Sequence, residues 1–140
     1  VAKLRVKDPP LWKALSSAAI GGLEQFEPQA LAGLAWSCAR LSVGSDGPLL
    51  DAISAQAGRT IGDFKPQHLS NLSWAFATLG VPDRPLLDAI SAASRPCMKA
   101  FKVQELANTA WAWAKLSCHD PPLLDSIASA AVSRMGQFGA

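Results

Sequence analysis

The stretch FKPQHLSNLSWAFATL at residues 64–79 has two close copies in the chain, FEPQALAGLAWSCARL at 26–41 and FKVQELANTAWAWAKL at 101–116. A Pro-Leu-Leu-Asp segment follows each copy, and the steps between the three leading phenylalanines are 38 and 37 residues. An internal period of this length is typical of proteins whose units bury their apolar faces against their neighbours. The repeat therefore predicts an all-α fold, a right-handed α-solenoid of stacked helix-turn-helix repeats of about 37–38 residues.

Each repeat carries the signals for two helices, here named helix A and helix B. In the second copy, helix A is expected to begin near Pro66, because proline suits the first helical turn. Helix B is expected to begin after Asp83, a favourable N-cap residue. It should stop near Arg95, because Pro96 lacks the N–H that a helix interior needs. The equivalent caps predicted in the neighbouring units are Asp46 and Asp120.

The period also divides the chain into units. Residues 1–25 are expected to supply the second helix of a partial N-terminal repeat, and residues 138–140 to begin a truncated one. The three complete repeats between them are predicted at 26–63, 64–100 and 101–137. Because the chain starts at Val1 and ends just inside a repeat, we expect it to be a fragment of a longer protein.

The composition favours an interaction module over an enzyme. The formal net charge of +2 permits a nucleic-acid partner without indicating one. No apolar run approaches the ~20 residues of a membrane helix, so no membrane insertion is expected. The three cysteines form no CxxC pair, His68 and His119 have no partner at metal or triad spacing, and no Gly-rich phosphate loop is present. We therefore predict no catalytic residue, cofactor, metal site or small-molecule substrate.

Tryptophans recur in register in the three copies, at Trp36, Trp74 and Trp111. Their repetition predicts that they belong to the core rather than to a surface on which bases stack. Trp113 replaces Cys38 and Phe76 of the other copies and is also predicted to be buried.

Removal of the predicted core leaves a narrow stripe on helix A. Counted from each leading phenylalanine as one, positions 5, 8, 12 and 15 face the same way at about 100° per residue. They vary between copies, as expected of a surface that reads a partner unit by unit; solvent-facing positions also vary when nothing constrains them. The stripe comprises Ala30, Gly33, Ser37 and Arg40, then His68, Asn71, Ala75 and Thr78, then Glu105, Asn108, Ala112 and Lys115.

The polar members of this stripe are the candidate partner-binding residues. Asparagine amides pair with base edges, and lysines placed before helix A can meet phosphates. Ordinary solubility charge is the alternative interpretation of those lysines. The stripe candidates are Arg40, His68, Asn71, Thr78, Glu105, Asn108 and Lys115. The candidate phosphate contacts are Lys65, Lys99 and Lys102.

The motifs LANTAWAWAKL, LSNLSWAFATL and LAGLAWSCARL, with the PLLDAISAA segment, resemble octotricopeptide and heptatricopeptide repeats. They are also similar to the helical repeats of FAST-kinase-like and RAP-domain organellar proteins. The resemblance spans residues 8–138 and implies RNA binding in a mitochondrion or plastid, in transcript stabilisation, processing, translation or ribosome assembly.

Repeat and resemblance together predict a non-catalytic helical-repeat module that binds single-stranded RNA in organellar gene expression. The alternative is a structural scaffold subunit of a large organellar complex, such as a ribosome or a photosynthetic or respiratory assembly, that binds protein through the same repeats. The stripe mixes Arg40 and Lys115 with Glu105, and this mixed charge leaves both functions open.

Overall fold

Seven α-helices account for most of residues 9–41 and 47–138, the part of the chain that the computed structural model describes. No strand occurs within these two ranges, so the predicted all-α class is confirmed. Short 3₁₀ turns follow three of the helices, at Leu23–Gln25, Ile61–Asp63 and Arg95–Ala100. The helices are α1 (Pro9–Gly22), α2 (Pro28–Leu41), α3 (Pro48–Thr60), α4 (Pro66–Leu79), α5 (Arg84–Ser94), α6 (Val103–Lys115) and α7 (Pro121–Phe138).

The helices pack in two layers. In one layer, α4 lies between α2 and α6, and these three are the predicted helices A. In the other layer, α3 packs against α1 and α5, while α7 contacts the 3₁₀ turn that follows α5. Each helix A also contacts the helix B that follows it in the chain. Packing of each unit on its neighbours agrees with the repeat, whereas the right-handed solenoid course of the stack stays a prediction.

Equivalent residues of the repeats fill the core between the layers. Leucine at position 6 of helix A is buried in all three units, and position 13 is buried whether it carries a thiol, a phenyl ring or an indole. The first turns of the helices B add leucine and isoleucine at constant spacing. These buried residues are Leu31, Leu69, Leu106, Cys38, Phe76, Trp113, Leu49, Leu86, Leu123, Ile53, Ile90 and Ile127.

Local signals set the helix ends as expected. The Asp83 carboxylate accepts a hydrogen bond from the Leu86 N–H at 3.1 Å, and Asp120 accepts one from the Leu123 N–H at 3.1 Å. Both predicted caps are therefore confirmed, while Asp46 lies outside the described residues. Helix α5 ends at Ser94, one residue before the predicted stop, and the chain continues as a 3₁₀ turn through the proline.

The prediction that all three in-register tryptophans belong to the core is wrong. Trp113 is 1 % exposed, as predicted, but Trp36 is 41 % exposed and Trp111 is 44 % exposed. Trp74, in the middle unit, is half-buried. Positions 11 and 13 of a helix point about 200° apart, so the two indoles of α6 cannot both face the same core.

The two tryptophans of α6 provide a direct test of this assignment. Trp113→Ala should lower the free energy of unfolding by about 3–5 kcal/mol, because it removes a buried aromatic side chain. Trp111→Ala should cost about 1 kcal/mol or less, as for most surface substitutions. Urea denaturation followed by circular dichroism measures both variants. Equal losses would show that the buried face of α6 has been misassigned.

Candidate nucleic-acid interface

The exposed face of helix A is clearest in α4, which has a neighbouring helix on both sides. Seven of its 14 residues are buried. Four of the others, Gln67, Asn71, Trp74 and Thr78, follow the spacing i, i+4, i+7 and i+11, while Pro66, His68 and Leu79 lie near the helix ends. Such spacing forms one narrow stripe along a helix. In the three units this surface, here called the Gln–Trp stripe, consists of Gln29, Gly33, Trp36 and Arg40, then Gln67, Asn71, Trp74 and Thr78, then Gln104, Asn108, Trp111 and Lys115.

The Gln–Trp stripe shares positions 8 and 15 with the stripe predicted from sequence and has positions 4 and 11 beside them. Position 5 reaches the surface in all three units, at Ala30, His68 and Glu105, whereas position 12 does so only at Ser37. Ala75 and Ala112, at position 12, are completely buried. The physical reason is the narrow opening left between two flanking helices: a shift of one residue turns a side chain by about 100°, from the surface into the packed layer.

Five of the seven predicted stripe residues lie on the Gln–Trp stripe. Asn71 and Asn108 are half-buried at its centre, and the Gln104 amide donates a hydrogen bond to Asn108 Oδ1 at 3.3 Å. The other three are exposed at the end of the stripe near the helix C-termini. They are Arg40, Thr78 and Lys115.

His68 and Glu105, the other two predicted stripe residues, make bonds at the helix N-termini. The Lys65 backbone N–H donates to His68 Nδ1 at 3.2 Å, and the Lys102 N–H donates to Glu105 Oε1 at 2.8 Å. A side chain three residues into a helix that accepts from the N-cap N–H satisfies one of the free donors of the helix end. Burial, and then the Lys65 charge, lower the pKa of His68. Partner contact by these two side chains remains a prediction.

The three candidate phosphate contacts fall in two places. Lys65 and Lys102 are exposed at the starts of α4 and α6, beside the Gln–Trp stripe. Lys99 lies in the 3₁₀ turn after α5, where its carbonyl accepts a hydrogen bond from Arg134. Arg95, Lys99 and Arg134 line a separate groove of about 820 Å³ against α7. The structure therefore does not bring Lys99 to the stripe.

A groove of about 490 Å³ runs between α2 and α4 on the stripe. Trp36 lines it from α2, while Lys65, His68 and Asn71 line it from the α4 side. The Trp36 ring centroid lies 6.2 Å from that of Trp74, with the ring planes tilted by 32°. The Arg40 guanidinium carbon stands 5.5 Å from the Trp36 centroid. The groove thus combines an aromatic surface, amides and a cation, which are groups that bind a ligand.

The cysteines of the described part of the chain are poor nucleophiles. Burial raises the pKa of the Cys38 thiol to about 11 and also raises the pKa of Cys97 and Cys118, which disfavours a thiolate nucleophile at neutral pH. No His, Cys, Asp and Glu cluster suited to a metal ion occurs within the described ranges. No helix in this part of the chain combines the length and apolarity needed to cross a membrane.

Sequence reasoning missed the glutamines and tryptophans of the stripe. The available signal was their identity in all three units: glutamine occupies position 4 and tryptophan position 11 in each copy. For tryptophan, repetition alone favours a buried position. At an exposed position, however, core packing does not require the same side chain in every unit, so the repetition needs another explanation.

The described part of the chain is all-helical, and its sequence repeats present the Gln–Trp stripe at the surface. A family model, described as RNA-editing substrate-binding complex 6 protein (RESC6), matches residues 1–140, and the chain belongs to that family. No individual curated protein matches the chain. The resemblance to octotricopeptide, heptatricopeptide and FAST-kinase-like families is therefore wrong as a family assignment. The motif behind it mainly contains small and apolar residues that serve the packing of neighbouring helices, and unrelated helical repeats share that requirement.

His68 provides a pH-dependent prediction at the edge of the site. Because its pKa is lowered on folding, the unfolded chain binds the proton more readily. The bond to the Lys65 N–H should therefore contribute fully above pH ~6.5 and be lost as the pH falls through the folded-state pKa. The loss should be about 1 kcal/mol or less, in the range of a helix cap.

The substitution His68→Glu copies the arrangement at Glu105 and supplies the matched control. Its carboxylate stays ionised down to about pH 5. Urea denaturation at pH 7.5 and 5.5 should show a smaller loss of stability for His68→Glu than for the unmodified chain. Identical pH profiles would exclude a contribution from the imidazole.

Proposed function

We propose that this protein is a non-catalytic component of an RNA-editing substrate-binding complex and that it binds single-stranded RNA through the Gln–Trp stripe. Membership of the RESC6 family supports the first part of the proposal. Of the two organelles predicted, we propose the mitochondrion; the family gives no support to a plastid.

The observation that carries the RNA proposal is the composition of the exposed stripe. Amide side chains form paired hydrogen bonds with base edges, and tryptophan provides a flat apolar surface on which any base can stack. Lys65 and Lys102 stand at the starts of two neighbouring helices beside it, where they can neutralise phosphates. Unpaired bases are needed for this kind of contact, because an RNA duplex hides its base edges in a deep, narrow major groove.

The arrangement of the units suits a linear ligand. Helices α2, α4 and α6 lie side by side, so the same stripe recurs from one unit to the next. Neighbouring helices pack at about 8–10 Å between axes. We propose that the units stack as a right-handed α-solenoid, which would join the stripes into one continuous track.

Salt dependence of binding tests this function. A labelled single-stranded RNA should bind the chain with an affinity that falls as salt rises, with a log–log slope of about −0.7 for each phosphate contact. Lys65→Ala and Lys102→Ala should each reduce that slope by about one contact. Filter binding across a salt series measures the slope, with duplex RNA of the same sequence expected to bind more weakly.

Arg59→Gln is the matched control for the lysine variants. Arg59 is an exposed cation on α3, in the other layer, and its guanidinium donates to the Gln56 amide oxygen. Its removal should leave the slope unchanged. A slope that falls equally in all three variants would contradict the assignment to the stripe, and absence of salt-dependent binding would reject RNA as the ligand.

A second candidate function, protein scaffolding, is favoured by a separate apolar groove. This groove of about 360 Å³ lies between α6 and α7, and most of its lining side chains are apolar. Val103 and Met135 line it and are 50 % and 67 % exposed. Contiguous exposed apolar surface is typical of protein interaction sites.

Substitution in the apolar groove separates scaffolding from RNA binding. Met135→Glu should weaken association with the other proteins of such a complex by about tenfold or more, because it places a charge in an apolar contact. RNA affinity should stay unchanged. Reconstitution of the complex with purified components measures the first effect, and the filter assay measures the second.

A further inference from the structure

We infer that the groove between α2 and α4 is a nucleotide site, in which one base of single-stranded RNA stacks on Trp36, its edge meets Asn71, and a phosphate meets Lys65. This inference rests on the proposed function and specifies the contacts at one place on the Gln–Trp stripe. The ligand is one nucleotide within a single strand, recognised by a ring, an amide and a cation that line the same groove.

Trp36 is held in place but is not buried. Trp74 packs on one side of it, and the Arg40 guanidinium lies over its ring. These contacts limit the motion of the indole, while 41 % of the residue remains exposed. A large aromatic side chain that is fixed by neighbours and open to solvent is preorganised for stacking, since little freedom is lost when a base binds.

The spacing of the rings determines where the base stacks. A base inserted between two aromatic rings needs about 3.5 Å on each side, or roughly 7 Å between ring planes. The centroids of Trp36 and Trp74 are 6.2 Å apart and the planes are tilted, so no base fits between them in this arrangement. The base is therefore placed on the part of Trp36 that lines the groove.

The polar groups of the groove match a base edge and a phosphate. Within the described residues, no side-chain hydrogen bond occupies the Asn71 amide, whereas Asn108 already accepts from Gln104. His68 accepts the Lys65 N–H at Nδ1, so its neutral ring carries the proton at Nε2 and keeps a donor there. The groove thus offers the Asn71 amide, an imidazole N–H and one ammonium group, and the amides of Gln29 and Gln67 also line it.

The size and charge of the groove favour a single nucleotide strand. A volume of about 490 Å³ lies in the range of small-ligand sites and is too small for a duplex. Lys65 is the charged side chain that lines it, and no carboxylate does. The equivalent of His68 on α6 is Glu105, whose negative charge would repel a phosphate. We therefore assign the site to the α2–α4 groove rather than to its counterpart beside α6.

Abasic RNA provides the sharpest test of stacking. A set of short fluorescein-labelled single strands, each lacking one base, retains every phosphate and differs only in the missing ring. Against the unmodified chain, at least one abasic position should weaken binding by about 5- to 150-fold, the usual effect of losing one base–aromatic stack. Trp36→Ala should weaken binding of the intact RNA by a similar factor, and the abasic strand should then show no further loss.

Two further substitutions distinguish an aromatic ring from apolar bulk. Trp36→Phe should keep most of the affinity because it retains a ring. Trp36→Leu should behave as Trp36→Ala, although it retains apolar area. Asn71→Ala should reduce discrimination among the four bases at the sensitive position by about 5- to 150-fold without changing the salt slope. Thermal melts of each variant show whether the fold is preserved.

The outcomes separate this inference from the proposed function. Salt-dependent binding that is equal for the unmodified chain and Trp36→Ala would overturn the nucleotide site and leave RNA binding through the stripe intact. Equal affinity of Trp36→Leu and Trp36→Phe would also overturn it, because stacking requires the ring. If the unmodified chain binds no RNA, the proposed function fails and the site fails with it.

Discussion

Close packing of neighbouring helices A is the constraint on which the rest of this structure depends. Helix α4 can lie between α2 and α6 because small side chains occupy the contact surfaces, including Ala35, Ser70 and Ser73, all of which are buried. The Ser73 hydroxyl donates to the Leu69 carbonyl at 2.8 Å, and Ser70 reaches the Glu105 carbonyl of α6 at 3.4 Å. Buried hydroxyls that find backbone acceptors allow close contact without leaving a polar group unpaired.

The same packing explains why tryptophan lies at the surface. A helix with neighbours on both sides and a layer of helices B beneath it retains one narrow opening to solvent. Trp74 of α4 is half-buried in that opening, while Trp36 and Trp111 are more exposed on α2 and α6, which pack against α4 on one side. Trp113, two residues along α6 from Trp111, fills the core. In the middle unit a ligand therefore meets essentially one row of side chains, and the composition of that row decides what this part of the surface can bind.

The charge pattern favours recognition by stacking and amides over recognition by charge alone. The formal net charge is +2, and exposed Lys65 and Lys102 flank a stripe that is otherwise largely uncharged in the middle unit. Glu105 interrupts any continuous basic track along the helix N-termini. The affinity of such a surface for RNA depends on how well individual bases stack and pair with its side chains. Phosphate contacts, which weaken as salt rises, supply only a share of the binding free energy.

The sequence by itself determined the helices, their ends and the identity of most core positions, because these depend on local chemistry. Pro66, Asp83 and Pro96 act on the backbone within one turn, and apolar residues at helical spacing define a buried side whatever the neighbours are. Tertiary structure decided which residue of an adjacent pair, such as Trp74 or Ala75, reaches the surface. The two point about 100° apart, and only the angle at which α4 packs against its neighbours selects between them. Local pattern contains no information about that angle, and the Gln–Trp stripe becomes visible only in the packed structure.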